Sequence, residues 1–205
     1  MREIIFTLIA LIAINITNGQ EIHKCDSTRS LLIFSKDKSS FVVKINGKVN
    51  QTDRESVFSV GEYSLQYLVV DKVNYLDSAK DNSELSILSR YAMKEAEYFT
   101  GLFERKLNIT MQKLSLTSNQ IGLIWYFDYP TEKLNMQPKE TSTEKIIVTK
   151  SLLFINLIIG DKIIGLASTQ FSDQKFENVK TFLVNIANTV KPIGNNVDFD
   201  NLCNY

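Results

Sequence analysis

One histidine, two cysteines, three prolines and one tryptophan occur in 205 residues, and each scarcity removes a class of chemistry or architecture. The lone histidine, His23, lies near the N-terminus in a predicted tail. Ser-His-Asp and Cys-His nucleophilic systems need an imidazole to take the nucleophile's proton, so they are removed. Histidine-based zinc sites go with them, and two cysteines at opposite extremities do not make a thiolate site. No C-x-x-C is present, which excludes that redox motif. Few prolines, only eight glycines and no internal repeat argue against a disordered or low-complexity chain. Lysine plus arginine equals aspartate plus glutamate at 23 each. With no basic excess to neutralise phosphates, nucleic acid is disfavoured as a partner.

Phosphate and calcium motifs are missing as well. No G-x-G-x-x-G occurs. Gly160 and Gly165 stand at P-loop spacing, but Leu166 and Ala167 replace the required Lys and Ser/Thr, and a strand hairpin fits the stretch better. "DFDN" (198–201) alternates acids but lacks the glycine and distal glutamate of a calcium loop, so it reads as a solvated tail. No metal or cofactor is implied, and no residue is assigned a catalytic role. The sequons at Asn50 and Asn108 matter only in a eukaryotic secretory pathway.

What is present begins with a leader. "MREIIFTLIALIAINITNG" (1–19) has a basic start at Arg2 and an almost unbroken apolar run from Ile4 to Ile14. That run suits a signal peptide and is shorter than the ~20 residues of a membrane span. Thr17 and Gly19 place small residues before a cut at Gln20; the alternative is a buried N-terminal helix or strand. The side chains ahead of Cys25 (Ile22, His23, Lys24) do not fit a lipid-anchored cysteine. No later stretch is apolar for long enough to span a membrane, so the mature chain is expected to be soluble, periplasmic or secreted.

Export gives the cysteines a reading. Outside the cytoplasm, Cys25 and Cys203 pair most simply as an intramolecular disulfide. Closing so long a loop is worth up to ~5 kcal/mol in the chain-entropy model. Two free thiols, or pairing with another chain, are the alternatives.

The mature ~185 residues suffice for one domain, 20–205. "SLLIFS" (30–35) and "SFVVKIN" (40–46) read as strands, "NQTDRES" (50–56) as a polar loop, and "SVFSV" with "YSLQYLVVD" (63–71) as one or two more strands. Residues 81–106 have helical periodicity, with Leu85, Leu88, Ala92, Ala96, Phe99 and Leu102 or Phe103 on one face and Asn82 or Ser83 as cap. "LNITMQKLSL" and "QIGLIWYFDY" form a predicted hairpin around Ser118-Asn119. The polar stretch 130–143 reads as an exposed loop. "EKIIVTKSLLFINLII" (144–159) and "KIIGLAST" (162–169) pair across a II′ turn at Gly160-Asp161. A second helix covers 172–190, capped by Ser172 and stopped by Pro192. Each helix has one apolar face and must lie on a sheet. The fold class is α+β: an antiparallel sheet of about six to seven strands, two main helices packed on it, in a single domain.

The stretch "SLLFINLIIGDKIIGLASTQFSDQKFENVKTFLVNIANTV" (151–190) joins an apolar hairpin through "STQF" to a helix with F..V..FL..I spacing. In this pattern and in its order of elements the chain resembles the PsbP-like proteins, a group that includes DcrB-like envelope proteins. The resemblance implies a non-catalytic binding or assembly module. The family has no shared catalytic residues to carry over, and the terminal cysteines depart from its pattern.

"IWYFDYP" (124–130) concentrates the sole tryptophan and three other aromatics. Alternation puts Trp125, Phe127 and Tyr129 on one face and Ile124, Tyr126 and Asp128 on the other. Amphipathic aromatics beside a carboxylate suit a groove, so Tyr126, Asp128 and Tyr129 are the candidate ligand-binding residues. The competing reading is a strand covered on both faces. Two functions stay open: an exported binding or adaptor module for a protein or small-molecule ligand, and a hydrolase whose carboxylate pair is assembled from acids distant in sequence.

Overall fold

The structure, a computed structural model, describes residues 20–36, 39–54, 56–117, 119–130, 147–194 and 198–204. The leader (1–19), Ser118 and most of the predicted 130–143 loop lie outside these described residues. The fold is α+β, with antiparallel strands and two main helices, as the sequence predicts. The strands divide into two sheets. β4 (Val49–Gln51), β5 (Val57–Val60), β6 (Tyr63–Asp71), β10 (Lys162–Phe171), β9 (Thr149–Ile159), β8 (Ile121–Asp128) and β7 (Thr110–Ser115) lie side by side in that order. β1 (Gln20–Lys24), β2 (Arg29–Lys36), β3 (Ser39–Asn46) and β11 (Lys191–Pro192) form a separate four-stranded sheet.

Helix α1 (Glu84–Phe103) lies on one face of the large sheet and buries Ile87, Leu88, Tyr91, Ala92, Ala96, Phe99 and Phe103 against Leu123, Trp125, Phe127, Leu152 and Phe154. The other face is covered jointly by α2 (Phe176–Ala187) and the small sheet, which meet it through Val179, Leu183 and Ile186 on the helix and Phe34, Phe41, Val43 and Ile45 on β2 and β3. Coverage on both faces explains why β9 does not alternate: every residue from Ser151 to Ile158 is buried. The β9–β10 hairpin turns at Gly160, whose φ of 59° favours glycine; Asp161 keeps a negative φ, as a II′ turn requires.

Besides the division into two sheets and the strand β4, which takes up Asn50 and Gln51 of the predicted 50–56 loop, four expectations change. His23 is not in a tail: it sits in β1 opposite Leu31, and its ring stacks on Phe199 at 4.8 Å. The "DFDN" stretch is not a solvated tail either. It runs into a short helix, α3 (Phe199–Asn204), whose Phe199, Leu202 and Cys203 pack on Leu31, Ile33 and Val42 at the back of the small sheet. Ser172 does not cap α2, which begins only at Phe176; its hydroxyl accepts the Val148 N–H instead. Ser83 occupies the cap position of α1 without a capping bond of its own. There Asp81 organises the turn, accepting the N–H and hydroxyl of Ser83 and the hydroxyl of Ser86 at 2.6 to 2.9 Å.

Cys25 and Cys203 are joined in a disulfide, with Cα atoms 5.5 Å apart. Arg29 reinforces the closure: it donates to the Cys203 carbonyl at 2.8 Å and pairs with Asp26 at 2.6 Å. Among the described residues no helix is long and apolar enough to cross a membrane.

Candidate functional site

The candidate site forms where β8, β9 and β10 reach the end of the large sheet beside the start of α2. Strand alternation sets its floor. Leu123, Trp125 and Phe127 turn toward α1, while Ile124, Tyr126 and Asp128 face α2. Register then lays three polar side chains in a row. Asp128 lies opposite Ser151, and Ser151 lies opposite Gln170 on the next strand. The Ser151 hydroxyl donates to Asp128 Oδ1 at 2.9 Å. Ser151 and Gln170 are buried, at 3 % and 7 % exposure, while Asp128 is exposed at the rim.

Aromatic groups supply the walls. Phe176, the first residue of α2, meets Tyr126 edge to face with ring centroids 4.8 Å apart. Tyr129 follows β8, packs edge to face on Phe103 at 5.1 Å, and is tied by its N–H to the Lys150 carbonyl at 2.7 Å. Partial burial pushes its phenol above the ordinary value. The link between β10 and α2 is fixed by Gln174, whose side chain accepts from the Phe171 N–H and donates to the Glu62 carbonyl; its own carbonyl takes the Gln170 amide at 3.1 Å. That bracing determines where Phe176 and Glu177 stand.

These residues enclose an open depression of about 710 Å³, with Lys150 and Glu177 on its margins. Tyr126, Asp128 and Tyr129, the three residues singled out in the sequence, all line it. Sequence reasoning missed the others. Phe176 is legible only as part of the apolar stripe of α2. Ser151 and Gln170 could have been placed together, because a two-residue turn at Gly160-Asp161 fixes the β9–β10 register. The partnership of Asp128 with Ser151 is not legible, because it depends on how β8 and β9 align across a long connection.

Chemically, the site offers aromatic surfaces, hydrogen-bond acceptors and one lysine. Its two carboxylates, Asp128 and Glu177, both stand at the open rim, and the Glu177 side chain is 75 % exposed and ion-pairs with Lys180 at 3.8 Å. Among the described residues no three His, Cys, Asp or Glu side chains are grouped to hold a metal ion. One row deeper on the same face, the Ser168 hydroxyl is buried without a partner among the described residues. A scan against protein-family models gives no match to this chain, and a search of curated proteins gives none either.

Proposed function

We propose that this chain is a non-catalytic binding module that works in the periplasm or outside the cell, and that the depression between β8–β10 and α2 is its ligand site. The observation that carries the reading is the convergence of Tyr126, Asp128 and Tyr129 with Phe176, Ser151 and Gln170 on one open hollow. Three aromatic side chains stand there among five polar or charged ones, so the hollow offers both apolar surface and hydrogen-bonding groups, the two ingredients of a ligand site. The leader reading and the Cys25–Cys203 disulfide support an oxidising compartment. The resemblance of residues 151–190 to PsbP-like proteins points to the same class of module.

A hydrolase remains the second reading, because Asp128 and Glu177 flank the same hollow. Both are solvent-facing, whereas a general acid working at neutral pH is held in surroundings that keep its proton on. The test is affinity capture from an extracytoplasmic extract of the source cells, with mass spectrometry of bound proteins and small molecules. A ligand retained by the native chain, lost by Phe176→Ala and reduced with Asp128→Asn, is the expected result. Capture unchanged in both variants would remove the hollow as the site.

A further inference from the structure

Resting on that reading, we infer that the ligand is a neutral oligosaccharide, with a sugar ring lying against the Tyr126–Phe176 pair and its hydroxyls meeting Asp128, Gln170 and Lys150. The aromatic pair is partly exposed and forms one wall of an open hollow. An aromatic face matches the flat C–H face of a pyranose, and the tyrosine hydroxyl keeps a polar edge in reach.

The polar complement points the same way. Asp128 uses Oδ1 to accept from Ser151, which leaves acceptor capacity on its other oxygen. Gln170 gives its amide N–H to the Gln174 carbonyl and keeps its own carbonyl as an acceptor. Lys150, exposed across the hollow, adds a donor. Acceptors and donors thus stand side by side. Hydroxyls, which both donate and accept, satisfy such a mixture; a simple cation or anion satisfies half of it.

Charge argues against an ionic ligand. Asp128 and Glu177 are balanced by Lys150 and by Lys180, the partner of Glu177. A phosphate approaching the first turn of α2 would meet both carboxylates. A wholly apolar ligand would strip water from the Asp128–Ser151–Gln170 row and return no hydrogen bond. The hollow, about 710 Å³ and open to solvent, accommodates one or two sugar rings.

The experiment is saturation-transfer NMR on the purified full chain with maltotetraose, cellotetraose, tetra-N-acetylchitotetraose and mannotetraose, beside tetramethylammonium and methyl phosphate as ionic probes. At least one saccharide is expected to bind with a dissociation constant of order 1 mM, as a shallow site predicts. Phe176→Ala should weaken it about tenfold or more, and Asp128→Asn, which can still accept from Ser151, about threefold. Thermal melting of each variant separates loss of the site from loss of the fold. Absence of transfer from all four saccharides at about 10 mM, binding by an ionic probe alone, or affinity unchanged in both folded variants overturns the inference. The capture experiment separates the two readings: a ligand lost in Phe176→Ala with no saccharide bound leaves the binding module standing and removes only the carbohydrate.

Discussion

Trp125 and Asn156 meet beneath helix α1, where the indole Nε1 donates to Asn156 Oδ1 at 2.6 Å and both residues are buried. Asn156 stands opposite Gly165 on β10. A Cβ added to Gly165 would lie 3.1 Å from Asn156 Nδ2 and 3.4 Å from the Tyr91 hydroxyl. The glycine is therefore a gap that admits a buried amide and a phenol, and has nothing to do with a phosphate loop. Gly165→Ala should destabilise the fold by ~1–3 kcal/mol through overpacking. Asn156→Leu should do so by a comparable ~1–3 kcal/mol, because it strands the indole N–H. Urea unfolding measures both; a Gly165→Ala chain as stable as the native one would refute the crowding.

The N-terminal turn of α1 gives a pH dependence. Hydrogen bonds from Ser83 and Ser86 pull the Asp81 carboxyl from 3.8 down to about 2. A depressed folded-state pKa stabilises above the unfolded value and is lost as pH falls through the folded one. Asp81→Ala should thus melt below the native chain at neutral pH. The gap should close between pH about 4 and about 2, where the native carboxylate takes up its proton. A gap that stays constant down to that range would mean the charge is not what holds the turn.

Reduction of Cys25–Cys203 should lower stability without dissolving the architecture. The linked residues are 178 apart in sequence, and loop closure of that length is worth up to ~5 kcal/mol. The large sheet and both main helices lie between the two positions. Cys25→Ser with Cys203→Ser should therefore keep the far-ultraviolet circular dichroism spectrum while lowering the melting temperature. Loss of the spectrum at room temperature would make the bond a condition of folding. An alkylation assay without reductant should label neither thiol in the native chain.

The two faces of β8 should respond differently to truncation. Trp125→Ala removes a fully buried indole and should cost ~3–5 kcal/mol. Asp128→Asn sits at the rim, retains an acceptor for Ser151, and should change stability by under ~0.5 kcal/mol. Tyr126→Ala falls between, because its ring is half-buried against Phe176. Differential scanning calorimetry ranks the three. Equal losses for Asp128→Asn and Trp125→Ala would mean that the end of β8 at Asp128 is held as tightly as its buried middle.

Much of this arrangement was legible because local rules and tertiary packing agree. The apolar spacing of α1 and the Gly160-Asp161 turn each report directly on local packing and match the fold, whereas the alternation of β8 shows only at its end, because Gly122 to Trp125 are buried in succession under covers on both faces. The second sheet was not legible. Strands β2 and β3 look the same whether they extend one sheet or start another, and β1 is a short polar stretch that becomes a strand only by pairing with β2. α3 was hidden for a related reason: six residues do not form a stable helix alone, and this one rests on the small sheet and the disulfide. At the candidate site, the aromatic cluster around Tyr126 drew attention by composition, whereas the place of Phe176 beside it depends on the geometry of the β10–α2 link.

The link between Cys25 and Cys203 also sets how the molecule carries mechanical load. Tension applied between a point upstream of Cys25 and a point downstream of Cys203 passes through a covalent bridge between residues whose Cα atoms are only 5.5 Å apart. The sheets and helices strung between them are bypassed, and their hydrogen bonds feel almost none of the pull. In an oxidising medium, a chain held at its two extremities would therefore behave as a short inextensible knot. The same chain under reductant would yield strand by strand.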